Sequence, residues 1–174
     1  IEQSITKKNR KAIGNRSPYA GPVDMVETKD GWIVVQVLGN TLFKRWANLV
    51  GANDLLDKEE FSTDINRGIN GEILSIKTSE WAAQFTNKEA LDLLANANVP
   101  AGPVNDLQDA LDDPHVKAMN FFQDLEYPGI PGKSPVMGLP VKLSNSENTI
   151  ERRPPILGEH TEEILKELGF TNEE

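Results

Sequence analysis

Apolar and polar side chains alternate in part through Val23-Asp24-Met25-Val26-Glu27-Thr28, and Lys29-Asp30-Gly31 follows as a turn signal, so the chain is predicted to double back as a hairpin. The returning arm, Trp32-Ile33-Val34-Val35-Gln36-Val37-Leu38, is β-branched and almost continuously apolar, which predicts a central strand covered on both faces and ended by Gly39. The period then changes. Leu42, Phe43, Trp46, Leu49 and Val50 recur at helical spacing behind Asn40 or Thr41 as cap, and Gly51 supplies a left-handed stop. That aromatic stripe is expected to pack a helix onto a sheet rather than to hold a cofactor. Asp54 to Phe61 is short and acidic and Asn66-Arg67-Gly68 is turn-like, so a loop with a turn of helix is expected there. Ile69, Ile73, Leu74 and Ile76 open a helical segment that carries Trp81, with Phe85 one turn later.

Thr86-Asn87-Lys88-Glu89 has the spacing of a capping box, because the threonine oxygen can accept the third helical N–H while the glutamate reaches back. A helix from about Asn87 to Ala97 follows. Val99-Pro100-Ala101-Gly102-Pro103-Val104 is fixed in an extended conformation by its prolines. Asn105 with Gln108 resembles a second capping box, and Asp113-Pro114 restarts helix with proline first and His115 in the opening turn, an ordinary surface or capping position. Short strands are expected at Phe121 to Tyr127, Ser134 to Leu139 and Val141 to Ser144, closing an antiparallel sheet. A polar connector over 145–155 and a last helix around Ile164, Leu165 and Leu168, stopped by Gly169, complete the chain. This order predicts an α+β fold, a mainly antiparallel sheet with helices packed on one face. The expected core is Trp32, Val34, Leu38, Leu42, Trp46, Leu49, Trp81, Leu91 and Leu94.

Composition narrows the chemistry. The 174 residues carry a net charge of -9, which opposes long-range attraction to nucleic acid or anionic membrane surfaces. No cysteine and only two histidines are present, so thiol nucleophiles and thiolate metal sites are excluded and no histidine cluster is expected. No apolar run approaches the length of a membrane span, which favours a cytoplasmic protein. The start at Ile1 reads as a cut from something longer. Charge is uneven: residues 1–16 hold Lys7, Lys8, Arg10, Lys11 and Arg16 against Glu2 alone, for +4. Such a stretch commonly forms a solvated helix end or linker, and it also suits a phosphate-rich ligand such as a nucleotide or coenzyme A. No glycine-rich phosphate loop, Gly-x-Ser-x-Gly elbow or metal-ligand spacing occurs.

An ordered series of short motifs carries a further reading. Gly14-Asn15-Arg16-Ser17-Pro18-Tyr19, then Thr28-x-Asp30-Gly31, Trp81, Val99 to Val104, Asp113-Pro114-His115-Val116, and Arg153-Pro154-Pro155-Ile156-Leu157-Gly158-Glu159-His160-Thr161 with Leu165 to Gly169 resemble the C-terminal part of a family III CoA-transferase of the CaiB/BaiF type, which includes formyl-CoA transferase. The resemblance runs from Asn9 to Phe170. It implies an enzyme whose aspartate, in a larger Rossmann-like domain, attacks an acyl-CoA thioester and carries an acyl anhydride before CoA passes to another carboxylic acid. That aspartate lies upstream of everything matched, so no catalytic residue is expected in this chain. By the same resemblance residues 1–18 form an arm from the missing domain, 19–150 the α+β small domain, and 151–174 a connector and helix returning to the large one. Gly14, Asn15, Ser17 and Tyr19 become the expected substrate-binding residues, with acyl-CoA and an acid as partners, coenzyme A thioester as substrate, no permanently bound cofactor, no metal, and an interlocked homodimer. Where formyl-CoA transferase has a glycine-rich loop after Gly-Asn, this chain has Arg16-Ser17-Pro18-Tyr19. Proline and tyrosine lack that flexibility, so formyl or oxalyl specificity is weakened. A related acyl-CoA racemase and a non-catalytic α+β interaction module are the alternatives.

Overall fold

A computed structural model describes residues 2–7, 9–146, 150 and 152–171. Lys8 of the basic stretch, residues 147–149 and 151 of the polar connector, and the extreme ends fall outside the described residues. The chain divides into two compact units, Ile1–Val104 and Asn105–Glu174. It is α+β, with antiparallel sheets throughout.

In the first unit a short helix α1 (Glu2–Thr6) precedes the predicted hairpin, formed by β1 (Val23–Glu27) and β2 (Trp32–Gln36) with Met25 opposite Val34. The turn closes through the Thr28 N–H to the Gly31 carbonyl at 2.9 Å. The proline-flanked segment becomes the edge strand β3 (Ala101–Pro103), pairing Gly102 with Val34, so β2 is central in the order β1-β2-β3. An edge is where a strand tolerates proline, whose missing N–H breaks no ladder.

The helices are α2 (Gly39–Val50), α3 (Asp64–Ile69), α4 (Gly71–Ala82) and α5 (Asn87–Asn96), with 3-10 turns at Asn53–Leu55 and Glu59–Phe61. Trp46 and Leu94 are fully buried, Trp81 nearly so, and Leu42, Leu49 and Leu91 pack at the rim of the core. Phe43 stacks on Trp46 at 5.5 Å and on Phe61 at 6.4 Å. Gly51 ends α2 at φ +73°, as its stop signal predicts.

Three expectations are corrected in the first unit. Trp32, Val34 and Leu38 are 42%, 41% and 48% exposed, whereas Ile33, Val35 and Val37 are fully buried. The strand is covered on one face only within the described residues, and the pleat sends alternate residues to opposite faces. Gln36, the polar residue of the run, shares the exposed face with Trp32, Val34 and Leu38 and marks it in the sequence. Second, neither Asn40 nor Thr41 caps α2. The Gly39 N–H donates to both carboxylate oxygens of Asp64, at 2.9 and 3.0 Å, so the cap comes from the start of α3. Third, the expected loop with a turn of helix is two 3-10 turns followed by α3, which Thr63 caps and which contains the turn-like Asn66-Arg67-Gly68.

The second unit holds α6 (Leu107–Asp112), α7 (Pro114–Ala118), a hairpin of β4 (Phe122–Glu126) and β5 (Lys133–Met137), and α8 (Thr161–Glu167). Asp106 and Asp109 form the capping box of α6, one residue beyond the expected Asn105 and Gln108 pair. A carboxylate accepts the terminal N–H groups more strongly than an amide oxygen does, and it complements the helix dipole. Asp113 caps α7, taking the N–H groups of His115 and Val116 at 2.7 and 3.0 Å, and Pro114 holds the first helical position. The β4-β5 hairpin is a separate two-stranded sheet, and Val141 to Ser144 is not a strand. Among the described residues no helix is long and apolar enough to cross a membrane.

Candidate functional site

Gly14 to Tyr19 is held by contacts that the sequence places locally and by one helix that approaches it unusually closely. The Ser17 N–H donates to the Val23 carbonyl at 3.2 Å, anchoring the segment to the start of β1, and the Ser17 hydroxyl oxygen accepts the Tyr19 N–H at 3.2 Å. Gly14 adopts φ +71° with open space where a side chain would stand, so backbone conformation is what requires glycine there. Gly68 in α3 is glycine for the other reason. A Cβ built on it would stand 2.4 Å from the Pro18 carbonyl oxygen and 2.8 Å from the Tyr19 nitrogen. The backbone of Pro18 and Tyr19 therefore lies directly on α3.

Arg67, one residue earlier, explains why α3 can sit there. It is 2% exposed, and its guanidinium donates to the Phe61 carbonyl at 2.6 Å, Asp64 at 2.9 Å and the Asn40 side-chain oxygen at 2.6 Å, with the Phe43 ring 4.1 Å from its carbon. Burial lowers its pKa, and the Asp64 carboxylate acts in the opposite direction. One side chain thus joins α2, the 3-10 turn before α3, and α3 itself. Sequence reasoning missed it, because Asn-Arg-Gly has the composition of a turn and nothing in a single chain marks a buried arginine.

Upstream of Ser17 the segment borders a pocket of about 330 Å³ whose charged lining is Arg10, Lys11 and Arg16 and whose remaining wall includes Ile13, Gly14 and Pro18. The Arg10 guanidinium lies 5.0 Å from the centre of the Tyr19 ring, within cation–π range. Arg16 stands 3.9 Å from the Glu72 carboxylate at the start of α4, and Glu72 is 74% exposed. Of the expected substrate residues, Gly14 lines this pocket, Ser17 and Tyr19 form the turn that adjoins it in sequence, and Asn15 is exposed between them. The Tyr19 ring is 43% exposed. Part of the basic stretch, Arg10, Lys11 and Arg16, lines this pocket, with Arg10 and Lys11 exposed.

Asp24 is the buried carboxylate among the described residues. It accepts the Ser75 hydroxyl and, at 2.8 Å, the Met25 N–H, which ties β1 to α4. His115 is exposed in the first turn of α7. No group of three or more His, Cys, Asp or Glu among the described residues is placed to hold a metal ion.

The motif around Thr28-x-Asp30-Gly31 has a structural role. The Thr28 hydroxyl donates to the Asn87 side-chain oxygen at 2.6 Å, and Asp30 accepts the Asn87 N–H at 2.6 Å. The hairpin turn is thus docked on the N-terminus of α5, where a carboxylate is favoured. In the second unit Arg153 forms a two-pronged ion pair with Glu159, whose carboxylate also accepts the Ile156 N–H at 2.9 Å, and the guanidinium lies 5.5 Å from the Tyr127 ring. The Arg153 hydrogen bonds hold the Glu159 carboxyl far below its ordinary value, at about 2.

Comparison with known proteins brings these observations together. The chain is 32% identical over 164 residues to a succinate–glutarate CoA-transferase of Agrobacterium fabrum, covering 90% of this chain and 39% of that protein. It is 31% identical over 157 residues to a succinyl-CoA:mesaconate CoA-transferase of Haloarcula hispanica, with the same coverage of 90% and 39%. The chain thus spans about two-fifths of the length of these curated relatives. A crystal structure of a CaiB/BaiF family protein from Brucella suis superposes with a TM-score of 0.67 at 28% identity, over 96% of this chain and 43% of that one. The family model described as CoA-transferase family III matches residues 1–161, and the chain belongs to that family.

Proposed function

We propose that this chain is the small-domain portion of a CoA-transferase that moves CoA between short dicarboxylic acids. The observation that carries the reading is the family match over residues 1–161, joined to relatives named for succinate, glutarate and mesaconate. In this reading an aspartate outside the chain attacks the thioester carbonyl and expels CoA thiolate. The resulting acyl anhydride splits one difficult acyl transfer into easier steps. The chain's contribution is the segment that carries Gly14, Asn15, Ser17 and Tyr19. The Tyr19 hydroxyl and Asn15 amide have the donors to orient a carbonyl or carboxylate. The ordered hold on Ser17 to Tyr19 supports this, because a positioned donor contributes to catalysis only if it is already in place. Residues 1–18 as an arm from a Rossmann-like domain, 151–174 as the segment returning to it, an interlocked homodimer and a cytoplasmic setting belong to the same proposal.

Incubation with succinyl-CoA and glutarate, with glutaryl-CoA followed by chromatography, tests it. The 174-residue chain alone is expected to give no exchange, and the protein that joins it to the upstream domain is expected to transfer CoA. Exchange by the chain alone that survives repurification would put a nucleophile inside it. α-Proton exchange of an acyl-CoA in deuterated water, without CoA transfer, would assign the longer protein to the racemases.

A further inference from the structure

The pocket walled by Arg10, Lys11 and Arg16 is a cluster of positive charge on a chain whose net charge is -9. Diffuse attraction cannot bring a dianion to such a protein, so recognition of one has to be local. Two guanidinium groups and an ammonium supply it. Guanidinium groups present planar forks that match a carboxylate in two parallel hydrogen bonds. The rest of the wall includes Ile13 and Pro18, apolar surface suited to a short methylene chain. At about 330 Å³ the space is at the small end of small-molecule sites, right for a four- or five-carbon acid and too small for a whole coenzyme A. Glu72 reaches Arg16 only at 3.9 Å from a largely solvated position, where an ion pair is weak and screened and a ligand carboxylate can compete.

We propose that Arg10, Lys11 and Arg16 form a carboxylate subsite that holds the remote carboxylate of a dicarboxylic acid, leaving its other carboxylate beside Gly14 to Tyr19. The inference rests on the transferase reading for the identity of the acid, and it adds the residues that distinguish a diacid from a monoacid. A site built around charged donors discriminates by what it loses with the wrong ligand: a monoacid leaves the guanidinium groups facing a methyl group.

The test needs neither CoA nor turnover, so it can fail or succeed independently of transfer. The isotope-labelled 174-residue chain is titrated with glutarate, valerate and inorganic phosphate while amide signals of Gly14 to Tyr19 and the arginine Nε–H signals are followed. Glutarate is expected to shift them saturably, at least tenfold more tightly than valerate and more tightly than phosphate. Arg10→Gln with Arg16→Gln is expected to erase the difference between glutarate and valerate. Raising sodium chloride from 50 to 500 mM in the unmodified chain is expected to weaken glutarate more than valerate, which gives a second reading should the variant fold poorly. No saturable glutarate shift, equal binding of valerate, or persistence of the preference in the double variant would overturn the subsite. Phosphate binding as tightly as glutarate would make it a general anion site and overturn the diacid assignment.

Discussion

Gly68 shows how much one missing methyl group can position. Its hydrogen faces the Pro18 carbonyl oxygen, where a Cβ would be only 2.4 Å away, a distance no relaxed structure holds. Gly68→Ala must therefore push Pro18 and Tyr19 off α3 or distort the helix, although alanine has the higher helix propensity. Overpacking of this kind costs roughly 1–3 kcal/mol. The expected result is a lower melting temperature together with moved amide signals at Tyr19 and Ala20; a melting temperature that rises would mean that the close approach is absent. The glycine was readable in the sequence and its purpose was not. Its partner is fifty residues away, and the local composition Asn66-Arg67-Gly68 points to a turn. The buried Arg67 guanidinium, bonded to the Phe61 carbonyl, Asp64 and Asn40, overrides that local preference. The Thr86 and Glu89 capping box, by contrast, uses residues three apart and was legible because its whole mechanism is local.

Among the elements, β2 is where pattern alone misleads. Four of its five residues are apolar, yet Val35 is fully buried and Val34, on the face that carries Gln36, is 41% exposed. Val34→Ala and Val35→Ala remove the same atoms at adjacent places and lose the same strand propensity, so their difference isolates burial. Val35→Ala is expected to cost about 2 kcal/mol from two lost methyl contacts and the cavity left behind, and Val34→Ala less than about 1 kcal/mol. Equal costs in chemical denaturation would restore the expectation of a strand covered on both faces. The cap of α2 was out of reach for a related reason, since Asp64 stands 25 residues from Gly39. In the second unit the Arg153–Glu159 pair predicts a pH dependence. The Glu159 carboxyl, held at about 2 in the folded chain by Arg153, ordinarily titrates near 4.5. A group whose folded pKa is depressed contributes stability that is fully present above its unfolded pKa and is lost as pH falls through the folded one. The clamp's contribution should thus persist above about pH 4.5 and fade between there and pH 2. Carboxyl carbon chemical shifts followed against pH check it. Glu159 should titrate near 2 in the unmodified chain and return toward its ordinary value in Arg153→Ala, and an ordinary titration in both would remove the clamp.

At the scale of the whole molecule, the α+β class and the family were legible because each rests on order along the chain: a hairpin, then helices, then short strands, and a succession of motifs from Gly14 to Gly169. The candidate site was legible only in part. Gly14 to Tyr19 could be marked by its motif, whereas the pocket lined by Arg10, Lys11 and Arg16 could not, since composition records only that the stretch is basic. The central claim is that this segment touches the reacting acid rather than merely linking elements. The measurement that tests it most directly is kcat/KM for CoA transfer from succinyl-CoA to glutarate in the protein that carries this chain, with Tyr19→Phe and Asn15→Ala, alongside melting temperatures. The predicted result is a fall of about tenfold or more in kcat/KM for at least one variant, equivalent to about 1.4 kcal/mol of lost transition-state binding, with melting temperatures nearly unchanged. Unaltered kinetics in both variants would contradict it and return the segment to a linker, and a fall in activity matched by a fall in stability would make its role structural.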